Sequence, residues 1–159
     1  MKIIGIDPGK TGYIVTIEGD VIVDSCPMPV KDDELDVFRL YTILSGKSDM
    51  IITETPFIQQ GNKNRGILTQ LVDYGQLKAI CKLSCSNFKE VSSRGWKAKL
   101  KIPGGSAGKK ISIERAKQYY PRECFFRTQR CTTPSHDFAE AALLAYYADT
   151  NYNKKERII

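Results

Sequence analysis

The chain has 159 residues, enough for one domain with a real core and too few for two. It holds no run of about 18 apolar residues, which excludes a membrane-spanning helix, and the N-terminus turns polar at Asp7, too soon for a signal-peptide core. Net charge is +6 but unevenly spread: residues 1–60 hold 5 Lys/Arg and 10 Asp/Glu, net −5, and residues 61–159 carry net +11, a balance that suits an enzyme acting on a polyanion.

Residues 2–7 read as a buried strand stopped by Asp7-Pro8-Gly9. Residues 12–18 and 21–26 alternate apolar and polar around the turn pair Gly19-Asp20, so a three-strand meander is expected before Pro27 and Pro29. Asp32-Asp33-Glu34 offers acids for a helix start, with an apolar stripe from Leu35 to Leu44 and a stop at Gly46. Residues 49–54 form the next strand, followed by the polar loop 59–65. Residues 67–83 are helical, with apolar side chains on more than one face: one stripe covers the sheet, and a second could meet a two-fold partner. A strand at 88–91 and a short helix around Trp96 follow. Residues 103–108 read as a loop and 109–120 as a helix. Thr133-Pro134 is expected to cap a helix running to about Tyr147, and residues 151–159 form a polar tail. One domain over residues 1–150 is expected, with a mixed sheet covered by helices.

The five cysteines, an odd count without a secretion signal, predict reduced thiols, and no CxxC spacing marks a zinc site. The glycine-rich stretch 104–110 departs from the phosphate-binding loop pattern at Pro103 and Lys110. A loop leading into a helix whose Lys109 and Lys110 meet phosphate explains it better. Trp96 reads as core.

Four acids stand out. Asp7 and Glu54 each end an apolar strand, and Asp137 and Glu140 lie three apart at a helix start, on one face. Taken singly, each is more commonly a turn or cap residue. Together they offer the oxygen ligands that Mg²⁺ prefers, in the number that can clamp a phosphodiester between two ions.

Ile4-Gly5-Ile6-Asp7-Pro8-Gly9 with Thr11-Gly12, then Ile52-Thr53-Glu54-Thr55-Pro56-Phe57, then Ser135-His136-Asp137-Phe138-Ala139-Glu140-Ala141 resemble the motifs of RuvC-type Holliday junction resolvases across residues 3 to about 148. Gly75-Gln76, Trp96-Lys97 and the stretch 105–109 resemble shorter phage and organelle-type members. The resemblance implies an α/β, ribonuclease H-like fold: a five-stranded mixed sheet, three antiparallel and two parallel strands, flanked by helices. The first and fourth strands are neighbours in that fold, which sets Asp7 beside Glu54. It also implies a homodimer that cuts four-way junctions with two Mg²⁺ ions, Mn²⁺ substituting, held by Asp7, Glu54, Asp137 and Glu140. Lys109 is then the candidate to neutralise charge at the scissile phosphate. Phe57 would stack on an unpaired base, with Gln59, Gln60, Asn62, Lys63, Arg65 and Lys110 as further DNA contacts. Two departures bear on the metal geometry: bacterial members often carry Asp where this chain has Glu140, and some relatives carry His where it has Asp137. His136 is expected to play a local or phosphate-facing role rather than to bind metal. A cytoplasmic location is expected, that of the host for a virus-encoded chain, or an organelle once a targeting segment is removed. The alternatives are another ribonuclease H-like nuclease, acting on other branched DNA or RNA–DNA hybrids, and a non-catalytic DNA-structure binder.

Overall fold

The computed structural model describes residues 1–56 and 65–153, with the backbone alone at Arg65. The expected meander is present: β1 (Lys2–Asp7), β2 (Tyr13–Glu18) and β3 (Val21–Pro27), paired antiparallel in sequence. The turn from β1 to β2 needs glycine twice. Gly9 has φ +121°, and a Cβ on Gly12 would run into the Asp7 carbonyl. A small hairpin follows, β4 (Val30–Lys31) and β5 (Glu34–Leu35). Asp32 and Asp33 form its two-residue turn with φ of 52° and 63°, the left-handed pair that an acidic turn residue tolerates. These acids therefore do not start a helix as expected. That start belongs to Asp36, whose carboxylate accepts from the Arg39 N–H and caps α1 (Val37–Leu44).

The chain then returns through β6 (Met50–Thr55), α2 (Arg65–Ser84), β7 (Phe88–Ser92), α3 (Ser93–Lys99), α4 (Gly105–Tyr119) and α5 (His136–Tyr152). α4 starts four residues before the expected Lys109: Gly105 has φ +73°, and the turn of small residues after it winds into the helix rather than remaining a loop. α5 is capped by Ser135, which accepts from the Phe138 N–H, and not by Thr133. Pro134 instead bridges to Phe126. α5 also runs to Tyr152, past the expected end at Tyr147.

The five strands order as β3-β2-β1-β6-β7, with β1, β6 and β7 parallel. β1 lies beside β6 with Ile6 opposite Thr53, so Asp7 and Glu54 end neighbouring strands as expected. This is the ribonuclease H-like arrangement. Two cores sandwich the sheet. Ile3, Val15, Ile17, Met50 and Ile52 face α3, α4 and α5. Ile4, Ile6, Ile14 and Ile51 face α1 and α2 through Leu40, Leu44, Leu77 and Ile80. Strand side chains alternate between faces, so Asp7 follows Ile3 and Gly5, and Glu54 follows Met50 and Ile52, onto the α5 side.

Gly5 sets how close α5 comes. A Cβ there would collide with the Ala141 carbonyl and sit 2.7 Å from the Ala145 N. With Ala139, Ala141, Ala142, Ala145 and Ala148 all fully buried, the helix lies flush on β1. Among the described residues, no helix is long and apolar enough to cross a membrane, and the five cysteines are free thiols.

Candidate active site

The flush seating of α5 brings its first turns to the ends of β1 and β6. Asp7, Glu54, Asp137 and Glu140 gather there, four residues from three elements. Their mutual influence is felt most at Asp7, whose carboxyl is held well above the usual carboxylate range. Burial is the main cause, and the charges of Glu140, Asp137 and Glu54 add to it, while Lys97 opposes. Glu54 is also raised, chiefly by burial, with Glu140 adding and bonds from Trp96 and Ser93 and the charge of Lys97 opposing.

Each of the other three acids is engaged by a protein donor. Trp96 Nε1 donates to Glu54 Oε2 at 2.6 Å. Lys97 Nζ donates to Glu140 Oε2 at 2.8 Å and Ser112 Oγ to Glu140 Oε1 at 3.0 Å, so both oxygens of this buried glutamate are occupied. Asp137 has Arg127 Nη1 at 3.6 Å from Oδ2 and His136 Nε2 at 3.0 Å from Oδ1.

Arg127 belongs to the basic connector between α4 and α5, and several contacts fix it. Its guanidinium donates to the Thr11 carbonyl and lies over the Tyr13 ring. Tyr13 OH donates back to the Arg127 carbonyl, and Tyr13 stacks on Phe138 with centroids 4.4 Å apart. Two residues earlier, the buried Phe125 holds φ 57°, an unfavourable conformation for a bulky side chain, and packs edge-on against Phe138.

Among the described residues, no three His, Cys, Asp or Glu side chains are arranged to hold a metal ion. The donor types nonetheless suit a hard divalent cation, being carboxylate oxygens throughout. Trp96 fixes one oxygen of Glu54, Lys97 and Ser112 hold Glu140, and Arg127 lies beside Asp137, while the charge of Lys97 also acts on Asp7 and Glu54. With one bond on each oxygen, Glu140 keeps a further acceptor position on both.

Of the other expected residues, Lys109 and Lys110 are exposed in the first turns of α4. Lys109 precedes Ser112 by three residues and so shares its face of the helix, but the lysine that reaches the carboxylates is Lys97. Phe57, Gln59, Gln60, Asn62 and Lys63 lie outside the described residues, as does the side chain of Arg65, the first residue of α2. Trp96 is core, as expected, being fully buried. Its indole N–H to Glu54 was not legible, since the partners are 42 residues apart. The one available signal was the adjacency of Trp96 to Lys97 directly after a strand. A cavity of about 360 Å³ lies on the opposite side of the sheet, lined by Met28, Leu35, Tyr74 and Leu77. None of the four acids borders it.

No protein-family model and no curated protein matches the chain by sequence. Its structure does have solved counterparts. Thermus thermophilus RuvC superposes with a TM-score of 0.63 at 16% identity, covering 98% of this chain and 97% of that one. The same protein in complex with a Holliday junction substrate superposes with a TM-score of 0.66 at 14% identity, covering 98% and 96%. The fold of this chain is that of a RuvC-type resolvase.

Proposed function

We propose that this chain is a homodimeric, Mg²⁺-dependent, structure-selective endodeoxyribonuclease that resolves Holliday junctions. The observation that carries the reading is the gathering of Asp7, Glu54, Asp137 and Glu140 around a buried position at the ends of β1 and β6. Acids brought together out of water repel one another, and evolution tolerates that cost where cations complete the group. The likeness to a solved RuvC–junction complex lends support, as does the net charge of +11 over residues 61–159.

In this reading Asp7, Glu54, Asp137 and Glu140 hold two Mg²⁺ ions, and Mn²⁺ substitutes. When bound, the ions would lower the pKa of a water and stabilise the leaving 3′ oxygen. The protein's part is positional. Asp7 supplies the carboxylate that the charges of the other three acids act on, and Asp137 and Glu140 join it from α5. Lys97 exchanges Glu140 for the incoming phosphate, and Lys109, from the exposed start of α4, neutralises further charge. Hydrolysis leaves a 5′-phosphate and a 3′-hydroxyl. Phe57 stacks on an unpaired base for about 1–3 kcal/mol, while Gln59, Gln60, Asn62, Lys63, Arg65 and Lys110 contact phosphates and bases. The dimer is supported by α2. Leu77 and Ile80 are buried against the sheet, while Leu68, Val72 and Leu83 are 60%, 59% and 78% exposed on the other side, and a cut at two strands calls for two sites.

The test is a nicking assay on a synthetic four-way junction, with a duplex, a fork and an RNA–DNA hybrid as competing substrates. The junction is expected to be cut in Mg²⁺ and not in chelator. Asp7→Asn and Glu140→Gln should bind it and lose cutting by about 10²–10³-fold or more. Undiminished cutting by both variants, or preference for duplex or hybrid, would overturn the reading.

A further inference from the structure

α3 begins where β7 ends, with Ser92 both closing the strand and capping the helix. β7 pairs with β6 so that Val91 stands opposite Glu54. The first residues of α3 therefore arise next to Glu54 and pass over it. Trp96, one turn into the helix, donates its indole N–H to Glu54 Oε2 at 2.6 Å. Trp96 is fully buried in the α5-side core, so its ring cannot swing away. The next residue, Lys97, holds Glu140, and its ammonium sits 5.2 Å from the Trp96 ring centroid.

The two glutamates are thus held by different kinds of donor. Glu140 meets a cation, which offsets its charge. Glu54 meets a neutral donor, the Trp96 indole, which fixes direction and leaves the charge in place. An indole N–H donates one bond and accepts none, and a carboxylate has about four acceptor positions. A carboxylate oriented on one oxygen by a buried, uncharged donor keeps lone pairs on both oxygens for a cation.

We infer that Trp96 is a positioning residue that orients Glu54 toward a divalent cation through its indole N–H. The inference rests on the nuclease reading above and adds a residue of this chain to the metal-binding machinery. Partners of this kind hold ligating side chains in register, and their loss commonly weakens metal affinity 10- to 100-fold.

Two measurements on the full chain, without DNA, test it. In the first, Mg²⁺ is titrated calorimetrically into the wild type and Trp96→Phe, which keeps an aromatic ring in the core and removes the N–H. Affinity is expected to fall about 10- to 100-fold. The second needs no variant at position 96. Trp96 is the only tryptophan in the chain, so indole emission reports on this bond directly. Emission should shift as Mg²⁺ is added, saturating with the calorimetric isotherm, and the shift should vanish in Glu54→Gln. Mere packing by Trp96 predicts no such spectral signature. Mg²⁺ uptake by the wild type with unmoved emission, or with equal affinity in a folded Trp96→Phe, overturns the role of Trp96 and leaves the nuclease reading standing. Absence of Mg²⁺ uptake in both measurements overturns the two together.

Discussion

Glu90 faces α2 and Asp7 faces α5, so the two sides of one sheet each carry an acid. Glu90 accepts from Tyr74 OH and Lys78 Nζ, both at 2.9 Å. Burial alone would raise its carboxyl, but the bonds from Lys78 and Tyr74 outweigh it, and the group lies below its ordinary value. Asp7 is buried among three further acids, and its carboxyl is displaced in the other direction. The neighbours of Glu90 therefore offset its charge, and those of Asp7 oppose it. The packing differs in the same sense. Branched and bulky side chains fill the α1–α2 side and leave apolar surface outside on α2. Small residues let α5 lie flush on β1, which is what crowds the carboxylates. The crowded acids sit on the face where helix and strand approach most closely at Gly5.

The largest effect should come from breaking that flush contact. Gly5→Val adds a branched side chain where even a Cβ meets the Ala141 backbone, and overpacking of this kind costs about 1–3 kcal/mol or more. Ile4→Val, one residue away on the other face, should cost only about 0.5–1.5 kcal/mol. Chemical denaturation of the two variants measures both. Gly5→Val should also abolish junction cutting in the fraction that stays folded, because α5 carries Asp137 and Glu140 away from Asp7, while Ile4→Val should cut normally. Equal loss of activity in the two would show that the contact does not set the site.

The outer side of α2 supplies the next test. Leu68→Glu with Val72→Glu puts two charges on each copy of the proposed two-fold contact, where like charges meet. Affinity should fall by at least about a hundredfold, since facing like charges cost several kcal/mol, and the mass by sedimentation should become that of one chain. Both positions are exposed, so the folding midpoint should hardly move once dissociation is allowed for. A chain that sediments as a monomer without the substitutions contradicts the dimer.

These contrasts also explain what could be read before the structure was known. Strand-end acids and alternating apolar runs are local, so Asp7, Glu54 and the sheet order followed from the sequence and its family resemblance. The α2 double stripe was equally legible, being a matter of helical period. Asp32 and Asp33 misled because acids serve helix starts and left-handed turns alike, and only the pairing of Val30 with Leu35 decides between them. Thr133-Pro134 misled in the same way, since Ser135 could cap as well. Trp96, Ser112 and Arg127 escaped notice because each meets its carboxylate across 42, 28 or 10 positions of the chain, and no periodicity encodes such a meeting. Lys97 stood among several lysines, and its bond to Glu140 separates it from them.

The smallest effect is the most direct test of the opening contrast, because its sign differs between the two acids. For Asp7, the folded carboxyl lies above its unfolded value, so between those two values the folded state binds more protons and stability falls as pH rises. At neutral pH the charged form is a net cost, and Asp7→Asn should stabilise the metal-free protein by on the order of 1 kcal/mol, as removal of strained site residues often does. That gain should shrink as pH is lowered and Asp7 protonates. For Glu90, the folded carboxyl lies below its unfolded value, so its contribution is present above the unfolded value and is lost as pH falls through the folded one. Glu90→Gln should therefore destabilise by about 0.5–1 kcal/mol at neutral pH, a modest figure because Lys78 is partly exposed to solvent, and the difference from wild type should close in acid. Melting temperatures in chelator at neutral pH and near pH 4 give both signs. Saturating Mg²⁺ should then reverse the order for Asp7 alone, since an ion that binds only the folded wild type adds stability that the Asn variant cannot gain. A stabilised Asp7→Asn that keeps its lead in Mg²⁺ would separate the crowding of these acids from any metal-binding role.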